Sequence, residues 1–323
     1  GGYMLESHEP GVRAVMKRNP NYWKQGRAHF DSVEYIGISD ANARTNALKT
    51  GEIDVMNRVD LKTVHLMKRL PGVKIHQANG TKHYTIPMDT RLAPYSDNNV
   101  RMALKHSINR EEIVKKVLKG YGVVGNDHPI APSNRFHAKD LPQRPYDPEK
   151  AKWYLKQSGM DSLQVNLSAA DAAFGGAVDA AVLYKEHAAA AGINVNVVRE
   201  PNDGYWSNVW MKKEWCMCYW SGRPTEDWMF STAYAADASW NDAFWQNDKF
   251  NQLLKVARSE LDEAKRRQMY YDMQEIVSND GGTVVPMFAS DLHAFSDKLA
   301  HGDTVGANWE FDGMKLAERW WFA

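Results

Sequence analysis

The sequence predicts an α/β protein built as two lobes, and three observations carry that reading. The chain has 323 residues, more than one hydrophobic core usually serves. Alternating apolar runs are interleaved with helical patterns, and near residue 100 a strand-rich opening gives way to helices. Hydrophobic residues make up 43% and charged residues 25%, a globular balance that argues against long disorder. Forty Lys and Arg oppose forty Asp and Glu without a long block of one sign. The chain therefore shows no electrostatic footprint for nucleic acid or an anionic membrane. No apolar stretch is long enough to span a bilayer.

Taken in order, residues 3–6 and 12–17 read as a hairpin about Glu9-Pro10-Gly11. Residues 33–38 alternate as a strand. Asp40 caps a helix carrying Ala43, Ala47 and Leu48 that stops at Gly51, and residues 53–55 form the next strand. Strand–helix–strand spacing of this kind implies parallel pairing. Asn79-Gly80, between apolar runs at 73–76 and 83–86, is the signal for a two-residue hairpin. Val100, Leu104 and Ile108 recur every four residues and line one helix face. Asn109 caps a second helix, with Glu112 placed to reach back as in a capping box. Ile113, Val114, Val117 and Leu118 form its apolar stripe, and Gly120 supplies the stop.

A loop containing Pro129, Pro132, Pro142 and Pro145 follows, then Asp147-Pro148 opens a helix that Gly159 ends. Alternation at Leu163, Val165 and Leu167, a helix over 178–190, a stop at Gly192 and alternation at Ile193, Val195 and Val197 make a second strand–helix–strand unit. The remaining elements are a short helix over 205–213, a strand over 215–220, and a long helix over 261–277 with Tyr270, Met273 and Val277 on one face. Strands and turns run from residue 284 onward.

Few motifs ask for chemistry. Gly120-x-Gly122-x-x-Gly125 has the spacing of a dinucleotide loop but follows a helix and precedes a proline-rich loop, the reverse of the required context. Eleven His are scattered without metal-ligand spacing, so no metal or cofactor is expected. No nucleophile elbow, P-loop or zinc-protease motif is present. Cys216 and Cys218 alternate on one strand, poorly placed for a disulfide, and read as buried thiols.

The aromatic and polar stretch from 215 to 228 is more informative, in a chain holding 12 Trp and 14 Tyr. Its strand ends at Trp220, and ligands of open α/β sheets gather outside the carboxyl ends of strands. An indole face at Trp220, a hydroxyl at Ser221 and a fixed charge at Arg223 would make a ligand platform there. The competing reading packs Trp220 under the loop and pairs Arg223 with Glu226 or Asp227 on the surface. Spacing leaves both open.

Several strings carry a resemblance. Gly1-Gly2-Tyr3, Arg18-Asn19-Pro20-Asn21-Tyr22-Trp23, the run from Ser39 to Asp54, the run from Pro94 to Ile113 with its Val100-Arg101 and Ile108-Asn109-Arg110, and Tyr146-Asp147-Pro148-Glu149-Lys150-Ala151 stand in order along nearly the whole chain. Together they resemble the extracytoplasmic solute-binding proteins of family 5, which serve peptide, nickel and opine ABC importers. That resemblance implies a bilobal periplasmic-binding-protein fold of the large dipeptide and oligopeptide type (type II), with residues 1–88 in the first lobe, 89–285 in the second and 286–323 returning to the first. It places a hinge near Met88-Asp89-Thr90 and Val285-Pro286-Met287-Phe288. It implies capture of a short peptide or polar amino-acid derivative by hinge closure, delivery to a membrane permease, and a periplasmic location. A nickel or metal-chelate ligand is the alternative within the family, and a cleft hydrolase the alternative outside it.

The resemblance also assigns residues and departures. Trp220 matches the Trp of the family's aromatic loop, while the carboxylate that would pair with a peptide's α-amino group is replaced by Arg223. A guanidinium there favours an anionic, N-blocked or opine-like ligand, unless Glu226 or Asp227 takes the amine. Trp206 and Asp227 are further expected contacts. Relatives begin well before the counterpart of Gly1, so the fold is expected to be N-terminally incomplete, its opening segment supplied as a longer chain or a separate polypeptide. No export signal is read at residue 1, and a processed start is expected.

Overall fold

The computed structural model describes residues 1–323. The chain forms two compact units, one made of Gly1–Gly80 with Ser290–Ala323 and the other of Thr81–Ala289. It thus passes between units at 80/81 and 289/290, where the sequence reading puts lobe boundaries at 88/89 and 285/286.

In the first unit, β1 (Tyr3–Glu9), β2 (Arg13–Arg18) and β3 (Ser32–Ile36) form an antiparallel sheet in that order. The hairpin closes where Gly11 takes a φ of +76°, the left-handed value that glycine reaches without strain. Helix α1 (Ala41–Thr50) has both expected ends: the Asp40 carboxylate accepts from Ala43 N–H at 2.8 Å, and Gly51 is left-handed. The parallel pairing expected around it does not form. β3 is paired antiparallel to β2 from Ser32 to Ile36, and β4 (Val55–Met56), with two residues, pairs antiparallel with residues 294–295.

After the short α2 (Val64–Met67), β5 (Val73–Pro87) runs unbroken through Asn79-Gly80, so the expected hairpin is absent. Two local facts explain why. The Asn79 amide oxygen accepts from Ser290 Oγ at 2.6 Å instead of folding back on its own backbone. A Cβ at Gly80 would lie 2.0 Å from the Ala307 carbonyl oxygen. This glycine permits close approach of a neighbouring backbone rather than a turn.

The second unit holds the rest of β5, then α3 (Asn98–His106), α4 (Arg110–Lys116), β6 (Gly122–Val124), α5 (Pro148–Gln157), β7 (Leu163–Ala169), α6 (Ala177–Ala189), β8 (Ile193–Arg199), α7 (Tyr205–Asn208), β9 (Cys218–Trp220), α8 (Glu226–Ala233), α9 (Asp248–Ala257), α10 (Glu263–Asp280) and the first half of β10 (Thr283–Ser296). β7 and β8 are parallel across α6, as their alternation predicts. β9 pairs antiparallel with β5, placing Trp220 opposite His83, and β6 pairs antiparallel with β10. Gly122 and Gly125 have structural work there, since a Cβ would meet the Phe288 and Val285 carbonyl oxygens at 2.5 and 2.1 Å. A core of Phe136, Phe230, Trp245, Phe250, Tyr270 and Val277 joins α8, α9 and α10.

The α3–α4 signature is explained by burial and by charge. Val100, Leu104 and Ile108 are fully buried. Asn109 Oδ1 accepts from Glu112 N–H at 3.0 Å, but the reciprocal arm of the capping box is missing. Instead Asn109 N–H donates to His187 Nδ1 (3.3 Å), and Glu112 holds His187 Nε2 (2.7 Å). The cations of α3 serve the end of α10. Lys105 Nζ donates to the Ser278 and Gly281 carbonyls (2.9 and 2.7 Å), and Arg101 Nη2 to the Asp280 carbonyl (2.8 Å). Positive charge at the carbonyl end of a helix satisfies orphan acceptors and opposes the macrodipole. Arg110 and Arg144 meet on the buried Asp127 carboxylate at 2.6 and 2.8 Å.

Buried titratable groups give the fold a pH dependence. Burial pulls His83 and His106 down to about 4 and His128 to about 3, so all three are neutral at pH 7. Two of them accept hydrogen bonds that protonation would remove: His106 Nε2 from Arg144 Nη1 and His128 Nδ1 from Ile130 N–H. Below about pH 6.5 the unfolded chain takes up protons that the folded chain refuses, so stability falls with pH. Burial raises Asp242 to about 6, an opposite effect between about pH 6 and 4, but one group faces three. Urea denaturation at pH 7 and pH 5 is expected to show a loss of about 3–5 kcal/mol.

The chain returns to the first unit through the end of β10, then β11 (Leu299–Ala300), α11 (Glu310–Met314), α12 (Leu316–Arg319) and β12 (Trp321–Phe322). Phe295, Leu299, Leu316 and Trp320 pack together. Buried Asp312, held left-handed in α11, accepts from Arg319 Nη1 at 2.7 Å and Trp320 Nε1 at 3.2 Å. No helix is long and apolar enough to cross a membrane.

Candidate functional site

The candidate site belongs to the second unit, at the carboxyl ends of its parallel strands. β7 and β8 run parallel, and a parallel bridge between Ser168 and Cys216 gives the segment leading into β9 the same direction. The loop leaving β9 and the one leaving β8 therefore emerge where open α/β sheets bind ligands.

The loop after β9 carries Ser221 and Arg223. Gly222 lies flat on β5: a Cβ there would fall 1.8 Å from Thr81 Oγ1 and 2.1 Å from Thr81 Cβ. Trp220, opposite His83, is 6% exposed, and its Nε1–H donates to Asp242 Oδ2 at 3.3 Å. Trp210 Nε1–H donates to the same oxygen at 3.1 Å. One buried carboxylate thereby orients two indoles, and those bonds act against the burial that raises its pKa. Arg223 is half-buried, and burial lowers its pKa. Its Nη1 donates to the Ser221 and Gly222 carbonyls and to Ser221 Oγ. The guanidinium stands 5.9 Å from the Trp220 ring centroid and 5.8 Å from that of Trp228, within cation–π range.

The pairing of Arg223 with Glu226 or Asp227 is not made. Thr225 caps α8, with its hydroxyl accepting from Trp228 N–H, and the helix turns both carboxylates elsewhere. Buried Glu226 accepts from Phe136 N–H at 2.7 Å, and Asp227 binds Arg258 Nε at 2.7 Å. The structure thus brings Trp220, Ser221, Arg223 and Trp206 together and commits Asp227 to another element. Trp206 joins through ring contacts with Tyr219 (5.4 Å) and Trp210 (6.0 Å).

Sequence reasoning missed Trp210, Trp240 and Asp242. The first had a signal, since Trp206 and Trp210 stand four apart in a helical stretch. Trp240 and Asp242 had none, because they reach the site from a loop about twenty residues beyond it. Cys216 and Cys218 are buried free thiols with pKa values raised by burial.

Residues 1–242 match the family described as bacterial extracellular solute-binding proteins, family 5 Middle. A glutathione-binding protein, GsiB of Escherichia coli strain K12, is 24% identical over 289 residues, covering 86% of this chain and 56% of the relative. The chain therefore spans little more than half the length of such relatives. Among solved structures, the periplasmic binding protein DppA of Helicobacter pylori, in complex with the peptide STSA, superposes with a TM-score of 0.80 at 22% identity. It covers 98% of this chain and 62% of that one. NikZ of Campylobacter jejuni, in complex with Ni(L-His), gives a TM-score of 0.83 at 19% identity, covering 99% and 67%. These likenesses bear out the α/β binding-protein fold. With three quarters of its residues inside the family match, the chain belongs to the family 5 bacterial extracellular solute-binding proteins.

Proposed function

We propose that this chain is the ligand-binding component of an ABC importer, taking up a short peptide or polar amino-acid derivative by closure of two lobes hinged on β5 and β10. The cargo is released unchanged to a membrane permease, so the protein is a carrier and not an enzyme, and its place is the periplasm. The observation that carries the reading is Arg223. It is a half-buried guanidinium with no carboxylate partner, set between two indoles at the carboxyl end of the sheet. Such a group suits the carboxylate of an anionic or N-blocked ligand, because an anion offsets the charge that burial strains. The relatives' names support peptides as the ligand class: one binds glutathione and one was solved with STSA.

Native mass spectrometry of the purified chain, followed by calorimetry with peptides, tests the proposal. A retained small anionic peptide, and its loss in Arg223→Asp, are the expected results. An unchanged ligand preference in Arg223→Asp would refute the role of this residue. Recovery of a metal chelate would move the cargo to the nickel class. Recovery of a chemically altered peptide would point to an enzyme. Binding that appears only when a second polypeptide is added would assign part of the site to a segment outside residues 1–323.

A further inference from the structure

Building on the anion site proposed at Arg223, we propose that the exposed rings of Trp206 and Trp240 form a second subsite that stacks an aromatic ring of the same ligand. The cargo class is then an anionic peptide or amino-acid derivative that carries such a ring. Trp206 and Trp240 are 40% and 48% exposed. Both rest on Trp210, with centroids at 6.0 and 6.5 Å and interplanar angles of 76° and 65°. Trp240 also meets Trp220 at 6.0 Å, and Trp206 meets the half-exposed Tyr219 at 5.4 Å. Single exposed apolar side chains are normal, but a contiguous set is the mark of a binding surface.

The form of the cluster decides what it binds. Its rings meet edge to face or tilted at contact distance, so they fill the space between one another. A cage enclosing an ammonium needs that space empty. What is left is the outward surface of two indoles, which suits a ring lying against it. The surface is also held in place, because Trp210 and Trp220 are both tied to Asp242 Oδ2. Little ordering is left for the ligand to do when it binds. Trp220 touches both parts, with Arg223 at 5.9 Å on one side and Trp240 at 6.0 Å on the other. The guanidinium and the Trp240 ring are thus no more than about 12 Å apart, a gap that two extended residues of about 3.5 Å each close only together with the length of an aromatic side chain.

Calorimetry on the 323-residue chain with N-acetylglycylglycine and N-acetylphenylalanylglycine, whose ring lies one residue before the carboxylate, tests this. The phenylalanine peptide is expected to bind about tenfold tighter. That preference should vanish in Trp206→Ala/Trp240→Ala and persist in Trp206→Phe/Trp240→Phe. The phenylalanine variant keeps the test sound if the alanine variant is poorly folded. Equal affinities in the unaltered chain, or a preference that survives loss of both rings, would overturn the aromatic subsite while leaving the anion site standing. Failure of both peptides to bind would overturn the peptide reading, and the subsite with it.

Discussion

Replacing Asp127 by alanine is expected to cost about 3–5 kcal/mol of stability, enough to remove much of the 5–15 kcal/mol that holds a typical domain folded. The side chain is fully buried and serves three donors: Arg110 Nη2, Arg144 Nε and the backbone N–H of Val285. Alanine leaves two guanidiniums, 1% and 7% exposed in their side chains, without a counter-charge in a low-dielectric site. Lys105 lies in the same field. Burial by itself would raise the Asp127 carboxyl, but the attraction of Arg110, Arg144 and Lys105 outweighs it and holds the pKa below the usual range. A carboxylate with a lowered folded pKa contributes stability above its unfolded value of about 3.9 and loses it as pH falls through the folded value. The alanine variant should therefore differ most from the parent at neutral pH. Asp127→Asn keeps an acceptor for Val285 and should fall between the two. Urea midpoints at pH 7 measure the effect, and a loss under about 1 kcal/mol would show that water or rearrangement replaces the carboxylate.

The parts of the fold that were legible in the sequence are those fixed locally. Asp40 with Gly51, and Asp147 with Gly159, bracket their helices because a side-chain acceptor and a left-handed glycine act within one turn. Parallel β7–α6–β8 was legible because alternation, helix and stop follow without interruption. The failures are non-local. Asn79-Gly80 has the residues of a turn, yet the chain at Ala307, more than two hundred positions away, decides that Gly80 is a point of close approach. The strands flanking α1 were assigned to each other because nothing in their own residues announces that β2 and residues 294–295 are their partners. Nothing in the residues of α3 and α4 announces that Arg101 and Lys105 reach carbonyls at the end of α10, or that Arg110 reaches the Asp127 carboxylate.

The candidate site divides in the same way. Trp220, Ser221 and Arg223 were readable because a strand end and its following loop are contiguous. What Arg223 would do depended on α8, whose cap at Thr225 turns Glu226 toward Phe136 and Asp227 toward Arg258. Asp242, which orients two of the indoles, is twenty-two residues from Trp220, and its role is visible only when the loop is folded back.

Gly222→Ala is expected to weaken ligand capture at least tenfold, about 1.4 kcal/mol, without unfolding the second unit. The added Cβ would lie 1.8 Å from Thr81 Oγ1, 2.1 Å from Thr81 Cβ and 2.5 Å from the Thr81 backbone carbon. Backbone cannot yield as a flexible side chain can, so the loop must lift from β5. Gly222 has no left-handed φ, so the penalty is steric and falls on the loop's position. Overpacking of this kind costs about 1–3 kcal/mol, and the loop bears it because the strand beneath is buried and paired on both sides. Lifting Ser221 and Gly222 moves the carbonyls that hold Arg223 Nη1 and takes the guanidinium from its place between Trp220 and Trp228. Thr81→Gly in the same chain removes two of the three clashes, and should restore part of the affinity while leaving the backbone contact. Calorimetry with an anionic peptide across the two single variants and the double variant reads the coupling directly. Full affinity in Gly222→Ala would place the ligand somewhere other than the loop after β9.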